Sequence, residues 1–456
     1  MRGKQYKTVA IKYADDVIKG NIIASDDVIA SCKRFKDDLK RDDLEIRTTQ
    51  PDAAISIIEG MFVHRQGETL EGVPLMGKPL KLQPWQIFII YNLLGFWYKG
   101  TEERRFKEAL IFVARKNGKT SLVAALSFAV AIIQRKSGSK VYVVAAALKQ
   151  ALESFYFIMF SLQYRGVIGK FEIKNSYVEH SIKCVFTKDG KPDGSIEIQI
   201  LASNPDAQDS FNCNFAIADE VAAYKKPAQY NRFKEAMKSY TNKLMVGITT
   251  AGDNINSFGY DRMMYASKVA QGLIKDDSFF SFVARADVDE KGNCDYTNPI
   301  QHQKANPNYG VTIRPQEMIN DALQAQNDPR QRKDFLSRSL NVYTSAMRAW
   351  FDIEEFRRSD KKYKWSLEEL AKLGINWYGG ADLSRMYDLT AAALFGTYNG
   401  VDIIITHAFC PVTMAAAKAD EDNIPLYGWL DDGWLTMCNS PTVNIADIVI
   451  VPTDFE

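Results

Sequence analysis

A lysine and a threonine that directly follow a glycine, at the head of an apolar helix, can hold the phosphates of a nucleotide. This chain has that arrangement at Gly118-Lys119-Thr120, led by Arg115-Lys116-Asn117. Backbone N–H groups at a helix start face phosphate oxygens, the lysine neutralises their charge, and the threonine hydroxyl reaches a magnesium ion. The usual pattern has a glycine five residues before Gly118, where Val113 stands here. The flanks supply what the tripeptide lacks. An apolar run, Ala109 to Ala114, enters as a buried strand, and an apolar helix from Leu122 to Ile133 leaves.

Such a turn needs acids opposite it, and Phe215-Ala216-Ile217-Ala218-Asp219-Glu220 offers an apolar strand ending in two. Asp219 would hold magnesium through water and Glu220 would activate the attacking water. A further strand, Lys243 to Ile248, runs into Thr249-Thr250-Ala251-Gly252. Its hydroxyl pair either senses the terminal phosphate or is an ordinary strand-to-turn junction. Upstream, Gln86 in Leu82-Gln83-Pro84-Trp85-Gln86 has an amide that can donate to and accept from an adenine edge at once. The plain alternative is a helix start at Pro84 with Gln86 on its surface; the downstream turn favours adenine.

The elements that must position these groups alternate. Lys140 to Ala147 reads as a second buried strand, Ala151 to Leu162 as a helix, and Ser195 to Leu201 as a half-exposed strand. Strands alternating with helices predict a parallel sheet covered on both faces, with ligand at the strands' carboxyl ends. Residues 8–50 read as separate helices, with Ser25-Asp26-Asp27 as a helix start. The charge-dense stretch Lys36 to Asp43 reads as a solvated face. Residues 287–310 are turn-rich and read as a loop, followed by helices near Gln316–Gln326 and Arg330–Leu340. Arg357 to Lys364 is a linker or a phosphate-contacting patch. Beyond it lie three strands, Trp377–Ser384, Leu389–Tyr398 and Val401–Cys410, the last two joined by the hairpin signal Asn399-Gly400. Asp382 falls inside the first. A strand aspartate is costly to bury without a cation, which suits one arm of a two-metal nuclease centre; a surface aspartate at a strand end is the alternative.

Composition excludes several classes. A hydrophobic content of 46% with 25% charged residues is that of an ordinary globular protein, not a disordered one. Lysine and arginine number 57 against 56 acids, so any DNA contact must come from local patches rather than overall charge. The six scattered cysteines and four histidines form no zinc spacing and fit reduced thiols in a cytosol. The N-terminus lacks a secretory core, and the longest apolar run is too short to span a bilayer, so no membrane role is expected.

Taken together, these segments resemble the large terminase subunit of tailed bacteriophages, in the branch with an Arg-Lys-Asn-Gly-Lys-Thr/Ser phosphate turn. The resemblance runs through Pro84-Trp85-Gln86, Arg115 to Thr120, Asp219-Glu220, Thr249-Thr250-Ala251, Leu340-Asn341, and Asp382-Leu383-Ser384 with Asp388-Leu389-Thr390. It implies an α/β P-loop NTPase sheet flanked by helices and an RNase H-like nuclease domain. The expected division is an N-terminal helical region at 1–50, the ATPase at 51–345, a linker at 346–374 and the nuclease at 375–456. By the same resemblance, ATP and Mg2+ would sit on Gln86, Asn117, Gly118, Lys119, Thr120 and Asp219. Arg115 would meet the terminal phosphate, Glu220 would be the base, and Thr249, Thr250 and Ala251 would couple hydrolysis to movement.

The nuclease would use Mg2+ or Mn2+, with Asp382 as its first acid and Asp388 and Asp454 as weaker candidates. Asp431 and Asp432 fall before the family's second acid. Only about 80 residues follow Gly374, short for a complete RNase H-like domain, so the nuclease is expected to be incomplete and to cut poorly. The implied partners are double-stranded DNA, the portal protein, the small terminase subunit and further copies in a ring. The implied place is the cytoplasm of the infected bacterium and, transiently, the procapsid portal vertex. Two rivals remain: a helicase-like DNA-dependent ATPase, which would need a second ATPase lobe, and an inactive, truncated docking protein.

Overall fold

The computed structural model describes residues 3–177, 179–202, 212–224, 227–289, 292–344, 358–359, 362–383, 389–413, 415, 424, 426–439 and 443. It forms two compact units, Met1–Ala346 and Met347–Glu456.

The first unit begins with α1 (Gly3–Ile18), α2 (Asp26–Asp38), β1 (Leu44–Ile46), α3 (Thr49–Met61), α4 (Pro84–Gly95) and β2 (Phe96–Tyr98). There follow β3 (Glu108–Phe112), α5 (Lys119–Ile133), β4 (Ser139–Ala145), α6 (Leu148–Tyr164), β5 (Glu172–Asn175), β6 (His180–Lys188) and β7 (Lys191–Ala202). Next are β8 (Phe215–Asp219), α7 (Pro227–Ala236), β9 (Leu244–Thr249), α8 (Phe258–Ala270) and β10 (Phe279–Val283). Three short helices, α9 (Pro299–Ala305), α10 (Pro315–Asn327) and α11 (Pro329–Asp334), lead into a π-helical turn, Phe335–Ser339.

Eight strands make one sheet in the order β10-β3-β9-β8-β4-β7-β6-β5. The first six pair in parallel, and β6 and β5 extend the sheet antiparallel. The sheet is therefore mixed rather than all parallel. The departure has a local cause. Asp189 and Gly190 both take positive φ, 52° and 75°, the two-residue turn that folds β6 straight back onto β7.

The central strands are buried on both faces, so their side chains alternate between two cores. Ala109 and Ile111 of β3, Val141 and Val143 of β4, and Phe215 and Ile217 of β8 pack with the α1–α6 side. Leu110 and Phe112, Tyr142 and Val144, and Ala216 and Ala218 pack with the α7–α8 side.

The N-terminal helices, expected as a region of their own, are part of this unit. Ala10, Tyr13, Val17 and Phe35 are buried in the core that holds α4, and Tyr13 and Phe35 lie 5.3 and 5.2 Å from the Phe88 ring. Ser25 caps α2 by accepting from the Val28 N–H, and its hydroxyl donates to Val283 O of β10. Nor is the charge-dense stretch simply solvated. Arg105, 1% exposed, draws in Asp38 and Asp277 as counterions, because a buried guanidinium needs both charge and acceptors.

The second unit is a four-stranded sheet of β11 (Tyr378–Asp382), β12 (Thr390–Tyr398), β13 (Val401–Pro411) and β14 (Leu435–Cys438). The first three are antiparallel, as the pattern predicts, and β14 joins β13 in parallel. Asn399 and Gly400, at φ 48° and 77°, make the expected tight turn. Among the described residues, one buried apolar cluster is made by Cys410, Ala415, Leu426 and Leu435. Within the basic segment, Arg357, Asp360 and Lys361 lie outside the described residues.

Candidate active site

Four parallel strands, β3, β9, β8 and β4, end side by side, and the chain leaves each at the same edge. β3 leads into Arg115-Lys116-Asn117-Gly118 and then α5. Gly118 takes φ 77° at the helix N-cap, and Lys116 takes φ 66°. Left-handed backbone is ordinary for glycine and costs a lysine about 1–2 kcal/mol, so something must hold Lys116 there. Its carbonyl accepts from the Thr312 hydroxyl at 2.8 Å. Val113, in the place of the usual glycine, stays buried, and its N–H donates to Thr249 O at 3.2 Å.

Lys119 is buried at the head of α5. Its ammonium donates to Val113 O at 2.9 Å, to Ala114 O at 3.2 Å, and to the Thr250 hydroxyl. Burial lowers its pKa to about 8, against the pull of Glu220 and Asp219. Thr120 lies half-buried in the same first turn, and Arg115 is exposed.

Asp219 closes β8. Burial, reinforced by the neighbouring Glu220 carboxylate, raises its pKa to about 7, with Lys119 opposing. Glu220 follows in the left-handed region, φ 52°, and starts a tight turn over Val221–Ala223. A non-glycine residue held there is a local strain of the kind that collects at functional sites.

The hydroxyl pair at the end of β9 joins these two features. Thr250 Oγ1 accepts from Lys119 and donates to Val113 O at 3.2 Å. Thr249 Oγ1 accepts from the Ala222 N–H at 3.0 Å, two residues past Glu220, and donates to Thr250 O at 3.1 Å. Ala251 N–H donates to Asn341 Oδ1 at 2.8 Å, and Asn341 Nδ2 donates to Ala284 O beyond β10 at 2.7 Å. Asn341 itself sits at φ 59°.

Gln86 is buried, not on the helix surface. Its Oε1 accepts from the Gln83 N–H at 2.9 Å, closing the N-terminal cap of α4. Its Nε2 lies 3.8 Å from where a Cβ on Gly118 would stand. The donating half of the amide thus faces the phosphate turn, while the accepting half serves the helix. Asn117 is also committed: its amide donates to Ala114 O, Arg115 O and Asn306 Oδ1, and its Oδ1 accepts from the Asn308 N–H.

These groups fit a phosphate and a divalent cation. A buried ammonium holding only neutral oxygens gains from an anion, and a buried carboxyl raised to about 7 gains from a cation. The residues carrying this chemistry are those whose types and spacing marked them in the sequence. Asn306, Asn308, Trp85 and Asn341 were not marked as parts of the site.

Asp382 is placed differently. It ends β11, pairs in register with Ala391, and is exposed; among the described residues β11 is an edge strand of its sheet. Of the two readings left open for it in the sequence, a surface aspartate at a strand end is the one that matches this position. Asp431 and Asp432 are exposed as well. Asp388 and Asp454 lie outside the described residues. Among the described residues no group of three or more His, Cys, Asp or Glu side chains could hold a metal ion, so they do not by themselves fit a metal centre at Asp382.

The first unit is thus an α/β nucleotide-binding fold of the phosphate-turn type, with a small antiparallel-led sheet unit beyond it. Comparison with known families gives the rest. A model of the terminase large subunit ATPase domain matches residues 84–268, and one of the terminase large subunit endonuclease domain matches residues 273–453. The chain belongs to the large terminase subunits and carries both their ATPase and their endonuclease domains. The endonuclease match starts within the first unit, in the turn before β10.

The chain is 23% identical over 423 residues to the terminase large subunit of Enterobacteria phage HK97, covering 90% of this chain and 75% of that protein. It is 28% identical over 178 residues to Protein YmfN of Escherichia coli (strain K12), covering 39% of this chain and 38% of that protein. The crystal structure of the HK97 bacteriophage large terminase has the same fold, with a TM-score of 0.51 at 20% identity over 89% of this chain and 78% of that one. Among the described residues no helix is long and apolar enough to cross a membrane.

Proposed function

We propose that this chain is a DNA-packaging motor, hydrolysing ATP in its first unit to drive double-stranded DNA into a procapsid. The observation that carries the reading is the bonded path from Lys119 through Thr250 and Thr249 to Ala222, which links the phosphate turn to the loop bearing Glu220. Lys119 leaves the Val113 and Ala114 carbonyls for the phosphates, and Arg115 meets the terminal one. Thr120 and Asp219 hold magnesium, whose positive charge offsets that of the phosphates. Glu220 orients the attacking water and takes its proton. When Lys119 releases Thr250, the strain at Glu220 and the Thr249 bond to Ala222 give the acid loop a second arrangement, which is how hydrolysis couples to movement. Gln86 Nε2 serves adenine recognition, and Asn117 contributes through its backbone.

The second unit acts as an endonuclease with Mg2+ or Mn2+, and Asp382 is its first acid, with Asp388 and Asp454 as further candidates. The partners are double-stranded DNA, a portal protein, a small terminase subunit and other copies of the chain in a ring on the procapsid. The setting is the cytoplasm of an infected bacterium.

The test is magnesium-dependent ATP hydrolysis by the purified chain beside Glu220→Ala, with plasmid nicking under Mn2+ in the same preparations. Turnover in wild type that is lost in the variant supports the assignment. A wild-type chain that hydrolyses nothing, even with DNA, sinks it. Mn2+-dependent nicking supports the endonuclease reading of the second unit, and its absence counts against it.

A further inference from the structure

The phosphate turn is held from outside its own strand and helix. Three consecutive residues of the turn, Arg115, Lys116 and Asn117, are each bonded to the segment from Asn306 to Arg338, far away in sequence. Arg115 N–H donates to Arg338 O at 2.9 Å, in the π-helical turn. The Thr312 hydroxyl donates to Lys116 O. Asn117 exchanges bonds with two asparagines: its Nδ2 donates to Asn306 Oδ1 at 2.8 Å, and its Oδ1 and backbone carbonyl accept from the Asn308 N–H and Nδ2 at 3.0 and 3.1 Å.

The two asparagines are anchored in turn. Asn308 Oδ1 accepts from the Trp85 indole at 2.7 Å, one residue before Gln86. Asn306 Nδ2 donates to His302 O and Ser339 O at 2.9 and 2.8 Å. All three asparagines are buried, at 0%, 2% and 3% exposure for Asn117, Asn306 and Asn308. Buried amides with both ends bonded fix a unique geometry, because breaking one bond strands its partner. A surface loop has no need of such a knot.

We propose that Asn306 and Asn308 are positioning residues for the phosphate turn, which keep it in its phosphate-binding shape through Asn117. Their amides are bonded to Asn117, Trp85, His302 and Ser339. Two facts make the turn dependent on them. Lys116 stands in the left-handed region, which its own chemistry does not favour. And Val113 replaces the glycine that would otherwise shape the start of the turn. The external knot supplies the shape that local sequence does not. The proposal rests on the nucleotide-binding reading above.

The experiment uses the full chain and reads three quantities: KM and kcat for ATP, and Kd for Mg-ADP by calorimetry. A turn that binds phosphate in ground and transition states alike should affect KM and Kd together and kcat little. Asn308→Ala, folded by circular dichroism, should raise both KM and Kd about tenfold, with kcat down less than threefold. Thr312→Val lies on an exposed position, spares the core, and should raise both about threefold, whereas Thr312→Ser, which keeps the hydroxyl, should restore them.

A folded Asn308→Ala and a Thr312→Val that both keep wild-type KM and Kd would overturn the proposal. So would a fall in kcat at unchanged KM, which would place the asparagines in transition-state chemistry. If Asn308→Ala does not fold, the Thr312 pair decides alone. A wild type that neither binds Mg-ADP nor hydrolyses ATP is a failure of the nucleotide reading, and it removes the proposal with it.

Discussion

Asp219 and Asp382, two of the four acids whose place in the sequence suits divalent metal, are set in opposite ways by the structure. Asp219 ends a strand at the centre of an eight-stranded sheet, buried, beside an ammonium and a second acid. Asp382 ends an edge strand of a four-stranded sheet, exposed to solvent. In sequence Asp219, with Glu220, closes an apolar run, and Asp382 falls inside a strand. The difference is what surrounds the strand. A central parallel strand has neighbours on both sides and helices on both faces, so its last residue is desolvated and its chemistry changes. Asp382 closes a strand with a neighbour on one side among the described residues, and it is exposed. Burial, rather than residue type, separates a poised site from a single candidate ligand.

The largest expected effects break that comparison at its chemistry. Glu220→Gln should cut kcat for ATP by about 10²–10⁴-fold while Mg-ADP still binds, as expected for a lost general base. Asp382→Ala should leave ATP turnover within about twofold and remove whatever Mn2+-dependent nicking the wild type shows, as the metal-binding role proposed for it requires. A kcat in Glu220→Gln equal to wild type would return Glu220 to the strained-turn role alone. A collapse of ATP turnover in Asp382→Ala would mean that the exposed acid is not confined to the nuclease.

The next effect is one of pH. Asp219 must be ionised to receive magnesium, and its pKa in the free protein is about 7. Lys119 must be protonated to receive phosphate, and its pKa is about 8. The signs oppose: lowering pH through 7 protonates the acid and weakens binding, and raising it through 8 neutralises the lysine and weakens binding. Hence kcat/KM for ATP, which reports the free enzyme, should peak between these values and fall about tenfold per unit outside them. A flat kcat/KM profile from pH 6 to 9 would show that neither group limits binding.

Much of the first site was legible because its signals are local. Gly118 next to Lys119, and Asp219 next to Glu220, are contiguous, and the apolar runs of β3, β8 and β9 announce buried strands by composition alone. What escaped is long-range or ambiguous. Asn306 and Asn308 sit in a stretch rich in Asn, Pro, Gly and Asp, which reads as a surface turn, because the same amides that close turns also tie distant backbones. Asp38 lies in a run of charges that looks solvated, and only Arg105 arriving from another element buries it. The β6–β7 hairpin was within reach, since Asp189-Gly190 carries the same turn signal as Asn399-Gly400.

A stability test sharpens the same contrast between local and long-range bonds. Asn341 holds the Ala251 N–H and the Ala284 carbonyl from a left-handed position. Asn341→Ala strands both buried partners and keeps an unfavourable backbone, so a loss of about 2–4 kcal/mol is expected. Asn341→Gly strands the same partners but accepts the backbone freely, and should be about 1 kcal/mol less damaging. Urea unfolding of the two variants measures the gap. Equal midpoints would mean that side-chain bonds, and not backbone conformation, set the demand for asparagine there.

The smallest effect compares one lesion in the two units. Asp189 and Asn399 each take the first left-handed position of a two-residue hairpin, at φ 52° and 48°. Alanine at either should cost about 1 kcal/mol, because it meets the same steric penalty without the short polar side chain that tolerates it. In the large sheet, β6 and β7 pack against α6 and contribute Ile182, Ile196, Ile198 and Ile200 to the core, so Asp189→Ala should leave the hairpin closed. In the second unit, few of the described side chains of β12 and β13 are buried, and the turn carries a larger share of what keeps them paired. Hydrogen exchange should therefore quicken about fivefold at the β12–β13 amides in Asn399→Ala and less at β6–β7 in Asp189→Ala. Equal acceleration in both would show that the turn, not the core beneath it, governs local opening. ATP turnover, which depends on strands at the centre of the first sheet, should be the same in both variants as in wild type.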